Sequence, residues 1–205
     1  MLKLILNKKY NPLFESDARY FIITGGRGSG KSFAATVFLT LLTMTKGVRI
    51  LFTRYTMTSA HLSIIPEFLE KIGLLGFDEV FSINKAEVLN TSNQSDILFR
   101  GIRTSAGNQT ASLKSLQGIS CFVLDEAEEL IDENIFDTID LSIREKGIQN
   151  RVILILNPVT KEHWIYDRFF ESKGVEGGFN GIRGNVCYIH STYLDNKDNL
   201  STSFL

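Results

Sequence analysis

The stretch Tyr20-Phe-Ile-Ile-Thr24-Gly-Gly-Arg-Gly-Ser-Gly-Lys31-Ser32 decides how this chain folds. Its first five residues form an apolar, β-prone run that stops at a glycine cluster. From Lys31 to Thr45, Phe33, Val37, Phe38, Leu41 and Leu42 recur at helical spacing. Strand, glycine-rich loop and helix are the context in which the pattern G-x-x-x-x-G-K-S/T identifies a phosphate-binding loop. Glycines let backbone N–H groups curl around phosphate oxygens, and the following helix N-terminus adds partial positive charge. Gly25, Gly26, Arg27, Gly28, Ser29, Gly30, Lys31 and Ser32 are therefore the expected nucleotide-binding segment. Lys31 is expected to reach the β and γ phosphates and the Ser32 hydroxyl to ligate Mg²⁺, so ATP with Mg²⁺ is the implied cofactor pair.

The second half of such a site lies about a hundred residues downstream. Ile119 to Leu124 (ISCFVL) reads as a central parallel strand covered on both faces, and it delivers Asp125 to the strand's carboxyl end. There Asp125 can hold the Mg²⁺ beside Ser32, and Glu126 can polarise an attacking water. An acid directly after the metal-binding Asp marks the hydrolases of this class, whereas a GTPase would show Asn-Lys-x-Asp, which does not occur. Glu128 and Glu129, in the charged run DEAEEL, read as solvated acids. The strand RVILILN (151–157) ends on Asn157 before Pro158, a position that suits a γ-phosphate sensor and equally a turn-capping Asn.

The remaining chain alternates. Val48 to Thr53 reads as a buried strand, 59–71 as a helix, 132–144 as a helix with Ile135, Ile139 and Ile143 on one face, 161–170 as a helix, and 185–192 as the last strand. Phe77 to Gly101 reads as short strands with polar turns, an antiparallel insertion or sheet edge. The expected architecture is α/β, a P-loop NTPase of the additional-strand catalytic-Glu type, with a mostly parallel central sheet and helices on both faces.

With 205 residues and 43% hydrophobic content, one core is the default, and 1–205 is read as one domain. The net charge of -1 argues against coating nucleic acid by charge alone. Cys121 and Cys187 have no metal-type spacing, which suits a reducing compartment, and no run approaches the length of a membrane span, so no membrane partner is expected. His61, His163 and His190 read as unconnected, and Trp164 and Tyr166 as packing residues.

In order along the chain stand GGRGSGKS, LKSLQGISCFVLDEAEEL, LNP, HWIYDRF and HSTYLDN. From about Tyr20 to the end this arrangement resembles the large terminase subunit of tailed bacteriophages, including Ser191, Thr192, Tyr193 and Asn196 of a Ser-Thr-Tyr-x-x-Asn stretch. The resemblance implies an ATPase that, as a ring of copies docked on the portal protein of an empty capsid, pumps double-stranded DNA inward. A small terminase subunit is a further implied partner, and the cytoplasm of an infected bacterial host the implied location. Terminases usually carry a second, RNase H-like nuclease domain, so the chain is expected to be the motor domain alone, with Asp195 and Asp198 as linker residues. Arg27 matches an arginine thought to sense the triphosphate, or is a solvent-facing loop charge. A basic residue reaching a neighbour's γ-phosphate can be worth about 10³ to 10⁵ in rate. Lys114, in the Lys-Ser-Leu segment, is the first candidate for it; Arg144 and Arg103 follow, and each also reads as a solvated charge. Asn11 to Phe14 precedes the first strand as an adenine-contacting segment does in the family: Phe14 or Tyr10 is expected either to stack on the base or to tuck onto the core. In isolation a monomer with low basal turnover is expected. Other nucleic-acid motors, such as a helicase, and a nucleotide-dependent assembly switch are the alternative readings.

Overall fold

A computed structural model describes residues 4–57, 60–104, 107–108, 113, 116–201 and 203. Strand β1 (Tyr20–Thr24) runs parallel to β8 (Arg151–Leu156) on one side and to β10 (Val186–His190) on the other. Beyond β8 the parallel order continues through β7 (Cys121–Asp125), β2 (Arg49–Thr56) and β5 (Asp96–Thr104). Antiparallel strands finish both edges: β9 (Gly181–Arg183) on β10, and β4 (Glu87–Asn90) followed by β3 (Phe81–Ile83) beside β5, which also pairs β6 (Gly107–Asn108). Among the described residues the sheet has ten strands, nine in the order β3-β4-β5-β2-β7-β8-β1-β10-β9 and β6 off this path.

Side chains on the central strands alternate between two cores, because successive residues of a strand point to opposite faces. Phe21, Ile23, Ile50, Phe52, Cys121, Val123, Ile153 and Ile155 enter one core, packed with Ala35 and Phe38 of α2 (Lys31–Leu42) and with Ile64 and Phe68 of α3 (Ala60–Leu75). Leu13 of the short α1 (Pro12–Glu15) joins them. Ile22, Leu51, Phe122, Leu124, Val152 and Leu154 enter the other, beneath Phe136 and Ile139 of α4 (Glu133–Asp140) and Ile165 and Phe169 of α5 (Trp164–Phe169). Burial on both faces is why these strands read as unbroken apolar runs. No helix among the described residues is long and apolar enough to cross a membrane.

Three expectations need correction. β5, placed with an antiparallel insertion, is parallel to β2, and the antiparallel edge begins only at β4. The helix expected over 161–170 starts at Trp164, because His163 caps it by accepting a hydrogen bond from Ile165 N at 3.2 Å. The helix expected to reach Arg144 stops at Asp140, whose carboxylate is drawn to Arg19 (2.7 Å) and to the Tyr20 hydroxyl (2.7 Å). Ile143 still reaches the core through a turn in which Ile143 N donates to Asp140 O.

Candidate active site

The strand register builds the site. Thr53 of β2 pairs with Leu124 of β7, which sets Arg54 beside Asp125; Asp125 pairs with Ile155, and Thr24 pairs with both Leu156 and His190. The carboxyl ends of β2, β7, β8, β1 and β10 therefore present Arg54, Asp125, Asn157, Gly25 and Ser191 in one row. In open α/β sheets this edge is where ligands bind. β8 lies between the glycine-loop strand and the acidic strand, which is the additional-strand arrangement.

The loop leaves β1 with Gly25 N donating to Leu156 O at 3.3 Å, and Gly28 (φ 76°) and Gly30 (φ 82°) take left-handed conformations that side chains disfavour. A β-carbon on Gly25 would sit 2.3 Å from Ser191 O, so only glycine fits between the loop and the end of β10. Lys31, in the first turn of α2, donates to Asn157 Oδ1 at 3.0 Å and to Gly26 O at 3.5 Å. Partial burial lowers the pKa of its ammonium, while Glu128, Asp125 and Glu126 pull it back up.

Asp125 is 5% exposed, and its Oδ2 accepts from Arg54 Nε at 2.7 Å and lies 2.6 Å from Arg54 Nη2. Burial raises the Asp125 carboxyl above the ordinary range, with Arg54 opposing. Glu126 follows at φ 54°, ψ 46°, a left-handed conformation for a residue with a side chain, costing roughly 1–2 kcal/mol. That turn carries its carboxylate out of the strand line to the solvent-accessible side, 3.6 Å from Arg54 Nε. Partial burial also raises Glu126, again opposed by Arg54 and reinforced by Asp125, Glu129 and Glu128.

Two neighbours of the expected site residues escaped the sequence reading. Arg54 directly follows the run that ends at Thr53, and a charge at the end of a buried strand was the available signal. Glu128, read as a solvated acid, accepts from Asn157 Nδ2 at 2.6 Å and from Asn157 N at 3.2 Å, so it orients the amide that faces Lys31. Its signal was only a position two residues past Glu126.

A Mg²⁺ bound with a triphosphate takes one carboxylate and one hydroxyl from the protein and fills its shell with phosphate oxygens and water. Asp125 at the end of β7 and Ser32 in the first turn of α2 are the carboxylate and hydroxyl on this edge that could hold it.

Arg27 is exposed at the crown of the loop. Lys114 lies outside the described residues. Arg144 and Arg103 are exposed, Arg103 with its guanidinium 6.0 Å from the Tyr55 ring. Tyr10 does not offer a stacking face: it is 2% exposed and its hydroxyl donates to Ser29 O at 3.1 Å while meeting Ser191 Oγ at 2.5 Å. Phe14 packs edge-on against Phe38. Trp164 packs on Phe136 and its indole N–H reaches Leu130 O, and Tyr166 stacks on Phe170. His190 pairs with the Thr24 hydroxyl at 2.8 Å; the His61 side chain lies outside the described residues. Asp195, read as a linker residue, caps the turn 193–199 and pairs with Lys9 at 2.8 Å, because that turn folds back against the N-terminal segment.

Residues 17–204 match the family described as phage terminase large subunit. The terminase large subunit of Bacillus phage SPP1 is 24% identical over 224 residues, spanning 100% of this chain and 50% of that protein. The large terminase of a thermophilic bacteriophage, also solved with ADP and with ATP-gamma-S, superposes with a TM-score of 0.75 at 12% identity, over 98% of this chain and 48% of that one. The N-terminal domain of the DNA packaging ATPase of bacteriophage phi29 gives a TM-score of 0.65 at 14% identity, over 88% of this chain and 93% of that domain. The chain spans about half the length of the SPP1 protein and of the thermophilic phage's terminase. With the match covering nearly all of its length, this chain belongs to the phage terminase large subunit family.

Proposed function

We propose that this chain binds ATP with Mg²⁺ and hydrolyses it, and that the hydrolysis moves double-stranded DNA into a viral procapsid. The observation that carries the reading is the row at the sheet's carboxyl edge, where Lys31 meets Asn157 across 3.0 Å and Asp125 and Glu126 stand one strand away. The thermophilic phage's terminase, which shares this fold, binds ADP and ATP-gamma-S, and the phi29 relative is a DNA packaging ATPase; both support the same assignment here.

In this reading the loop's N–H groups and Lys31 grip the β and γ phosphates, and Asn157 senses the γ group. The Glu126 carboxylate accepts a proton from a water whose oxygen attacks the γ phosphorus. The bond to the bridging oxygen breaks and leaves ADP and phosphate. Mg²⁺, held through Ser32 and Asp125, would neutralise charge on the phosphate oxygens. Arg27, exposed on the loop, is the proposed sensor of the triphosphate, and Lys114 the proposed basic residue reaching into a neighbour's site.

The partners proposed with this activity are the portal protein, the small terminase subunit and further copies of the chain in a ring, in the cytoplasm of an infected bacterium. The test is ATP turnover per subunit against protein concentration, with and without double-stranded DNA. Turnover that rises with both supports a ring motor. Negligible turnover in an assembled ring would favour a nucleotide-dependent switch, and unwinding of duplex DNA would favour a helicase.

A further inference from the structure

The phosphate-binding loop has a back as well as a front. Two of its carbonyls are held by residues far away in sequence, Ser29 O by the Tyr10 hydroxyl and Gly28 O by Asn196. Gly28 O accepts a hydrogen bond from Asn196 Nδ2 at 2.8 Å. The Asn196 amide also stands 3.5 Å from where a β-carbon on Gly30 would lie, so it touches both left-handed glycines of the loop. Asn199 Nδ2 donates to Asn196 Oδ1 at 2.8 Å, which fixes which end of the amide faces the loop.

The turn that presents Asn196 is itself anchored. Thr192 and Asp195 form a capping box, with Thr192 N donating to Asp195 Oδ2 at 2.8 Å. Asp195 is also the ion-pair partner of Lys9, and its backbone carbonyl accepts from Asn7 Nδ2 at 2.6 Å. Between this turn, the segment 4–8 and the start of α2 runs a groove of about 930 Å³, lined by Asn7, Gly30, Phe33, Asn196 and Asn199 among others. It opens beside the loop. Asn196 therefore belongs to two surfaces at once, the back of the loop and the wall of the groove that leads away from it.

We propose that Asn196 is a positioning residue for nucleotide, holding Gly28 to Gly30 in the phosphate-ready conformation, and that the turn 192–199 tightens with the loop when nucleotide binds. The inference rests on the nucleotide reading above. A bound phosphate tightens the N–H side of the loop, and among the described residues the only hydrogen bond from the turn to the Gly28 carbonyl comes from the Asn196 side chain. Loop and turn are thus mechanically in series.

Asn196→Asp keeps the shape and replaces the donor with an acceptor facing a carbonyl; Asn196→Ala removes the contact. Binding of a fluorescent ADP analogue is expected to weaken about tenfold or more in Asn196→Asp, and less in Asn196→Ala. KM for ATP should rise in parallel, while kcat at saturating ATP stays within about threefold. In the wild type, ADP should slow backbone hydrogen exchange across 192–199, and Asn196→Ala should abolish that protection. An unchanged affinity in both variants, or exchange across 192–199 that ignores ADP in a wild type that binds it, overturns the proposal. A wild type that binds no ADP analogue would instead remove the nucleotide reading, and the proposal with it.

Discussion

Arg54 and Asp125 form a two-point contact, with Arg54 Nε and Nη2 at 2.7 and 2.6 Å from the same carboxylate oxygen. The guanidinium also lies 3.6 Å from Glu126, so one side chain sets the electrostatics of both acids. Burial raises both carboxyls and Arg54 restrains the rise. Because a general base works only when ionised, the acid limb of the kcat profile should lie above the ordinary carboxylate range. Removing a nearby cation destabilises the carboxylate form, so Arg54→Ala should move that limb further up, by about one pH unit or more. A limb that stays put in Arg54→Ala contradicts this reading of the pair.

Glu126 spends conformational energy on its left-handed backbone. Glycine adopts that conformation freely, so Glu126→Gly should abolish hydrolysis and yet keep the thermal midpoint within about 3 °C of wild type, the relief offsetting the added chain entropy. Glu126→Ala, equally inactive, should be the less stable of the two. Calorimetry on both variants checks the order.

Glu128 touches the proposed site through Asn157, whose amide and backbone N–H donate to its carboxylate. Glu128→Ala frees the amide to turn, so kcat should fall several-fold to about tenfold while affinity for ADP, which lacks the γ phosphate, changes little. Equal losses for ADP binding and kcat would mean that Glu128 shapes the loop as a whole.

Asp140 is 5% exposed and joins Arg19, the Tyr20 hydroxyl and, at 3.8 Å, Arg168. Asp140→Ala leaves those groups facing a buried gap, and should cost roughly 3 kcal/mol. That corresponds to a fall of about 10 °C in midpoint for a chain of this size. The effect should be on stability alone, since the cluster sits at the amino end of β1, opposite the nucleotide edge.

The sequence displayed whatever depended on local chemistry. β1 from Tyr20 to Thr24, the loop and α2 were readable because a buried strand, a glycine run and a helical repeat each leave their own pattern, and both-face burial made visible the strand that ends on Asp125 and the one that stops just before Asn157. Contacts between distant segments left no such trace. Arg54 meets Asp125 only because the pairing of Thr53 with Leu124 sets the next residue of β2 beside the last of β7, and Glu128 meets Asn157 only because the chain doubles back after Glu126. Tyr10, whose ring could equally have faced a base, was decided by Ser29 and Ser191, the latter 181 positions away.

Everything proposed for the site turns on Glu126 as the base of an ATP-hydrolysing centre, and the decisive comparison is ATP binding beside steady-state hydrolysis in wild type and Glu126→Gln. Glu126→Gln should bind ATP with affinity near wild type and lose hydrolysis by about a hundredfold or more. A Glu126→Gln protein that still turns over ATP at a rate close to wild type would contradict that assignment.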